Sequence, residues 1–146
     1  MSLQNTIRGT MHLRGIECYG GNFVEVILKP ADEDTGVIFQ TVNGDIKAKI
    51  DYSSPYRISV LLNNGRTQVI HVEHILATLY AYGIDNVLIQ LKRIPSKSFR
   101  LLGQLGLAAE TEVVPILGER EKTLCERIDE IGLERQLTER IILREL

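Results

Sequence analysis

The chain has 146 residues, 44% of them hydrophobic and 25% charged, which suits one ordinary globular domain with its own core. A net charge of −2 with scattered Lys and Arg excludes a polybasic footprint, so no nucleic-acid partner is expected. No apolar run reaches the ~20 residues of a bilayer span, no signal-peptide pattern opens the chain, and Cys18 and Cys125 form no disulfide framework; no integral membrane segment and a cytoplasmic location are the expectations.

Strand patterns dominate up to about residue 95 and helical ones follow. Thr6–His12 reads as a first strand, with Gly15, Gly20 and Gly21 marking the turn after it. Phe23–Lys29 alternates, with Val24, Val26 and Leu28 on one face, and Pro30 stops it. Val37–Thr41 is a short strand, and Ile46, Ala48 and Ile50 alternate in the next. Tyr56, Ile58, Val60 and Leu62 line one face of a longer strand, followed by the hairpin chemistry of Asn63-Asn64-Gly65. His71–Tyr82 is the first helix, with Val72, Ile75, Leu76 and Leu79 as its apolar stripe and Gly83 as its stop. Val87–Leu91 is a strand, and Ser96 or Ser98 caps a helix through about Leu107. Glu112–Leu117 is a short strand broken by Pro115, and Glu119–Ile131 a helix with Leu124, Ile128 and Ile131 on one face. Leu133–Leu146 reads as helical through Leu133, Leu137 and Ile141, although its Arg-Ile-Ile-Leu end also suits a strand.

The chemistry concentrates in His71-Val72-Glu73-His74. With Val72 at the centre of the buried stripe, steps of about 100° put Glu73 on the flank and His74 nearly opposite the core. His71 falls within about 60° of His74. Imidazole is a common zinc ligand, and an adjacent carboxylate can act as general base. A solvated polar helix face accounts for the same residues. The spacing is not the i, i+4 pair of His-Glu-x-x-His. Cys18 is read as a structural thiol, with a ligand or reactive role as the alternative. Cys125 is read as core and His12 as a strand-end polar residue.

The segment His71-Val72-Glu73-His74-Ile75-Leu76-Ala77-Thr78-Leu79-Tyr80-Ala81-Tyr82-Gly83-Ile84-Asp85-Asn86 resembles the Val-Glu-His-Leu-x-x-Ala-Leu-x-x-x-Gly-Ile-Asp-Asn segment of the UDP-3-O-acyl-N-acetylglucosamine deacetylases of lipid A biosynthesis. Leu28-Lys29-Pro30-Ala31, Thr35-Gly36-Val37-Ile38-Phe39 and Thr6-Ile7-Arg8-Gly9 match the same family in order and spacing. The resemblance covers residues 1–95 as a first-domain-like region; 96–146 is expected to be the mostly helical remainder of that domain, with no second catalytic domain expected among these residues.

That resemblance implies an α+β fold, a sheet with helices packed on one face, like one domain of a two-domain zinc hydrolase. It implies Glu73 as general base and His74 as a zinc ligand; His71, from its place beside His74, is read as a possible second ligand. Zinc is then the cofactor, if other residues complete the site, and a UDP-sugar the substrate class. The family's remaining ligands come from a His-Asp-x-x-x-Asp segment of its second domain, which none of His12, His71 and His74 begins here. Tyr19 stands where the family has a histidine, and Pro95-Ser96-Lys97-Ser98 lacks the family's aspartate. A second domain or a homodimer partner is therefore expected. The alternative is a non-catalytic stand-alone domain that binds a ligand or partner.

Overall fold

The computed structural model describes residues 2–94, 111–118 and 122–140. The fold is α+β, with helices on one face of a mixed five-stranded sheet. Its strands are β2 (Met11–Ile16), β3 (Phe23–Pro30), β4 (Val37–Thr41), β5 (Gly44–Lys47) and β9 (Val87–Ile94), ordered β2-β3-β9-β4-β5. Only the β4–β9 pair is parallel.

Register explains the core. Met11 lies opposite Leu28, Leu28 opposite Ile89, Ile89 opposite Phe39 and Phe39 opposite Ile46. Directly opposed residues share a face, so one row of side chains crosses all five strands. Each is at most 1% exposed. Leu13, Val26 and Leu91 form the next row. Against these pack α1 (Glu73–Ala81), through Ile75 and Leu79, and α2 (Leu124–Ile131), through Leu124 and Ile128.

Two smaller sheets complete the domain. One is four-stranded, ordered β10-β8-β7-β6, from β6 (Ser53–Tyr56), β7 (Ser59–Asn63), β8 (Gln68–Ile70) and β10 (Glu112–Val113). The other pairs β1 (Leu3–Ile7) antiparallel with β11 (Leu133–Glu139).

Several expectations are corrected. The Thr6–His12 strand is two strands joined through Gly9, and Gly15 lies within β2 rather than in the following turn. His12 is the second residue of β2, exposed and beside Glu25, so it stands near the start of a strand and not after one. The long strand from Tyr56 to Leu62 is a hairpin that reverses at Arg57 (φ +53°), leaving Ile58 92% exposed. The alternation through Ile50 ends at Lys47, and Ile50–Tyr52 is a 3-10 turn. Leu133–Glu139 is a strand, not a helix: Gly132 (φ +82°) ends α2 and the chain leaves extended along β1. Cys125 is exposed on α2, because the buried stripe runs through Leu124 and Ile128. The helix expected from Glu119 begins only at Leu124, where extended Thr123 caps it with Glu126, and the helix expected from Ser96 or Ser98 lies outside the described residues.

The Gly-Ile-Asp-Asn stretch is structural. Gly83 (φ +69°) closes α1 in a Schellman motif, its N–H donating to Tyr80 and that of Ile84 to Leu79. Asp85 accepts from the Asn5 backbone N–H and from Arg140 Nε. Asn86 donates to Gln4 and Gln136 and accepts from the Gly36 N–H. One dipeptide thus ties α1 to β1, to β11 and to the approach to β4.

Glu112 is 2% exposed, and its Oε2 has no hydrogen-bond partner among the described residues. Burial pushes its carboxyl up, Arg93 opposes that, and Glu17 adds to it. A raised acid pKa favours the protonated, folded form. This contribution is fully present below the ordinary value of 4.5 and fades as pH rises through the raised one. Urea midpoints of wild type and Glu112→Gln are therefore expected to diverge as pH rises, wild type falling relative to the variant. A constant gap from pH 4.5 upward would contradict this.

Candidate metal centre

The chemistry sits where β8 passes into α1. His71 leaves the strand with φ +67°, in the left-handed region, so it precedes the helix and does not share its face as the periodicity suggested. Val72 is the N-cap and is fully buried. Glu73 opens the helix, where its negative charge suits the positive end of the dipole. His74 follows, exposed.

Val60 of β7 holds both ends of this corner. Its carbonyl accepts from the His71 N–H at 3.0 Å, and its N–H donates to Glu73 Oε2 at 3.1 Å. Glu73 Oε1 lies 3.8 Å from His71 Nε2. The His71 and His74 rings stand edge to face, 5.1 Å apart. One ligand atom from each of His71, Glu73 and His74 falls within 4.8 Å of the others. The cluster is thus the three residues singled out in sequence, gathered through a backbone geometry that helix periodicity did not foresee.

His71 has a further partner. Its Nδ1 is 3.1 Å from the Val114 carbonyl oxygen, which only accepts. Nδ1 therefore carries a proton, and Nε2 faces Glu73. Neither Val60 nor Val114 could be picked out in advance, since each acts through its backbone.

The cluster borders an apolar groove of about 510 Å³, lined by Ile58, Ile75, Val114, Ile116, Leu117 and Leu124 among others. Cys18 lies on the same groove, its Sγ 3.9 Å from His71 Nδ1, and burial pushes its thiol pKa up. Its protonated form is thereby favoured, which argues against a reactive thiolate.

The glycine turn is organised by Glu17, 1% exposed, whose carboxylate accepts from the N–H groups of Tyr19, Gly20 and Asn22 and from the Asn22 side chain. Tyr19 points its hydroxyl at Ser59 Oγ, 2.8 Å away, and its ring stands 6.2 Å from that of Tyr56. Its hydroxyl is engaged with the small sheet.

The model of the UDP-3-O-acyl N-acetylglycosamine deacetylase family matches residues 4–144. The chain belongs to that family. The match continues past residue 95, across most of the segment expected to be the remainder of that domain. Among curated relatives, the UDP-3-O-acyl-N-acetylglucosamine deacetylase of Thioalkalivibrio sulfidiphilus is 36% identical over 95 residues, 62% of this chain and 31% of its own. That of Ruthia magnifica is 37% identical over 94 residues, 62% of this chain and 31% of its own. That of Helicobacter pylori strain J99 is 25% identical over 132 residues, 89% of this chain and 39% of its own. The chain therefore spans about a third of the length of these deacetylases. As a deacetylase-family domain, it carries a His/Glu/His cluster that could coordinate zinc if further residues complete the site.

Proposed function

We propose that this domain supplies the general base and part of the zinc site for hydrolysis of the N-acetyl group of a UDP-3-O-acyl-glucosamine-type sugar nucleotide. The observation that carries the reading is the convergence of His71, Glu73 and His74 within 4.8 Å at the start of α1. The donor set fits zinc, which favours imidazole and carboxylate ligands. His74 is the ligand and Glu73 the base, positions that match the family segment. When bound, zinc supplies Lewis acidity toward the amide carbonyl.

The protein's own contribution is proton handling. Val60 pins one oxygen of Glu73, which fixes the carboxylate plane and presents Oε1 toward the histidines. Oε1 then takes the proton of the water that attacks the acetamide carbon and returns it to the departing amine. The groove beside the cluster is lined by His71 and His74 themselves, together with apolar side chains such as Ile75 and Val114.

With a third of a relative's length in hand, the reading calls for ligands from a second domain or a second copy of the chain. Among the described residues no helix is long and apolar enough to cross a membrane. A UDP-sugar substrate places the reaction in the cytoplasm under this reading.

The test is zinc per chain by elemental analysis, on wild type and His74→Ala, followed by release of acetate from the UDP-sugar. Zinc is expected in the wild type and lost in the variant. Acetate release is expected to need Glu73, so Glu73→Gln keeps the metal and loses turnover. Zinc at background in both proteins would overturn the reading.

A second reading, a ligand-binding module without catalysis, is favoured by Tyr19. Its hydroxyl is bonded to Ser59, in the place where the resemblance expects a histidine. Retention of zinc and of UDP-sugar binding, with no acetate released by the complete assembly, would establish it.

A further inference from the structure

We infer that His71 is itself a metal ligand, through Nε2, so that this domain grips zinc with two imidazoles of its own. The inference rests on the metal reading above and extends it to a residue outside the Val-Glu-His segment.

Three features converge on this atom. The Val114 carbonyl fixes the proton on Nδ1, which leaves Nε2 as the donor. A carbonyl or carboxylate behind the distal nitrogen is the usual support of a metal-bound histidine, setting tautomer and ring orientation together. Nε2 is then turned to the right place, 3.8 Å from Glu73 Oε1 and inside the 4.8 Å cluster that includes His74. Ligands about 2.1 Å from a tetrahedral metal sit roughly 3.4 Å from one another. Rotation of the exposed His74 side chain closes the remaining gap.

The third feature is backbone geometry. His71 sits at φ +67°, a conformation that costs a non-glycine residue energy and that clusters at functional sites. A glycine would hold this corner more cheaply. The imidazole is what glycine could not supply. Two further bonds, from the His71 N–H to Val60 and from its ring to Val114, hold the residue there.

The chosen variant is His71→Asn, because asparagine tolerates the left-handed region whereas alanine would add strain. Zinc affinity of the full chain would be measured by competition with a chromophoric chelator, for wild type, His71→Asn, His74→Ala and His12→Asn. Circular dichroism would confirm that each is folded. His71→Asn is expected to weaken zinc binding by at least tenfold to a hundredfold, about what losing even an outer-shell partner costs. His12→Asn, on a strand beside Glu25, is expected to change nothing. Cobalt(II) substitution gives an independent readout: the visible ligand-field bands should change in shape and intensity in His71→Asn.

Wild-type affinity in folded His71→Asn, with zinc lost in His74→Ala, would overturn this inference and leave the metal reading standing. No zinc bound by the wild-type chain would overturn both.

Discussion

Gly15→Ala should lower the stability of the domain by about 3 kcal/mol, the upper part of the range for overpacking a closed site. A Cβ built on Gly15 falls 2.2 Å from the backbone oxygen of Ile116 and 3.0 Å from Pro115 Cβ. The obstacle is main chain, which cannot rotate aside. It is also held: the Ile116 N–H donates to the carbonyl of Ile16, next to Gly15, at 3.1 Å. Pushing Ile116 away breaks that bridge and shifts Val114, the acceptor for His71. Urea unfolding would read the loss in stability, and zinc affinity should fall with it. An unchanged midpoint would show that the crossing of the two segments is looser than described.

Asn86→Leu is the second large effect, again about 3 kcal/mol, or a fall of roughly 10 °C in melting temperature. The Asn86 side chain makes three hydrogen bonds, to Gly36, Gln4 and Gln136, at 2.8, 2.9 and 2.7 Å. Leucine is similar in size, so the loss is polar rather than steric. It strands the Gly36 N–H and weakens the junction of three segments. A buried donor left without a partner costs about 1–3 kcal/mol. Asn86 is 1% exposed, so water cannot take over. A thermal melt superimposable on wild type would mean that the junction is held by packing alone.

Asn86 also shows where sequence reading works and where it stops. The Gly83-Ile84-Asp85-Asn86 stretch could be matched to a family, yet nothing local says that its amide reaches residues 4, 36 and 136. The alternation of Val24, Val26 and Leu28 predicted β3 because one face of that strand is buried, and period two is the direct imprint of that burial. Residues 37–41 and the stripe of α1 were legible for the same reason. Leu133, Leu137 and Ile141 mimic a helix at four-residue spacing, but Leu137 is 90% exposed. What decides that segment is a partner 126 to 128 positions earlier in the chain, Ile7 opposite Leu133 and Thr6 opposite Glu134, which no window around it contains.

The site divides similarly. Glu73 and His74 could be named from their segment, and His71 from its proximity. The left-handed turn at His71, the grip of Val60 and the carbonyl of Val114 could not, because backbone groups carry no residue identity. Cys125 was misplaced through one step of helical phase: at about 100° per residue, the neighbour of a buried Leu124 faces solvent.

The pairing of β1 with β11 sets a timetable for the chain as it is made. Leu3 leaves the ribosome 136 residues ahead of its partner Glu139. At about 5–20 residues per second, β1 waits on the order of ten seconds with an unpaired edge. Every earlier strand of the five-stranded sheet finds its neighbour sooner. A chain ending within residues 122–132 would hold every strand of the large sheet and leave the first strand without its partner.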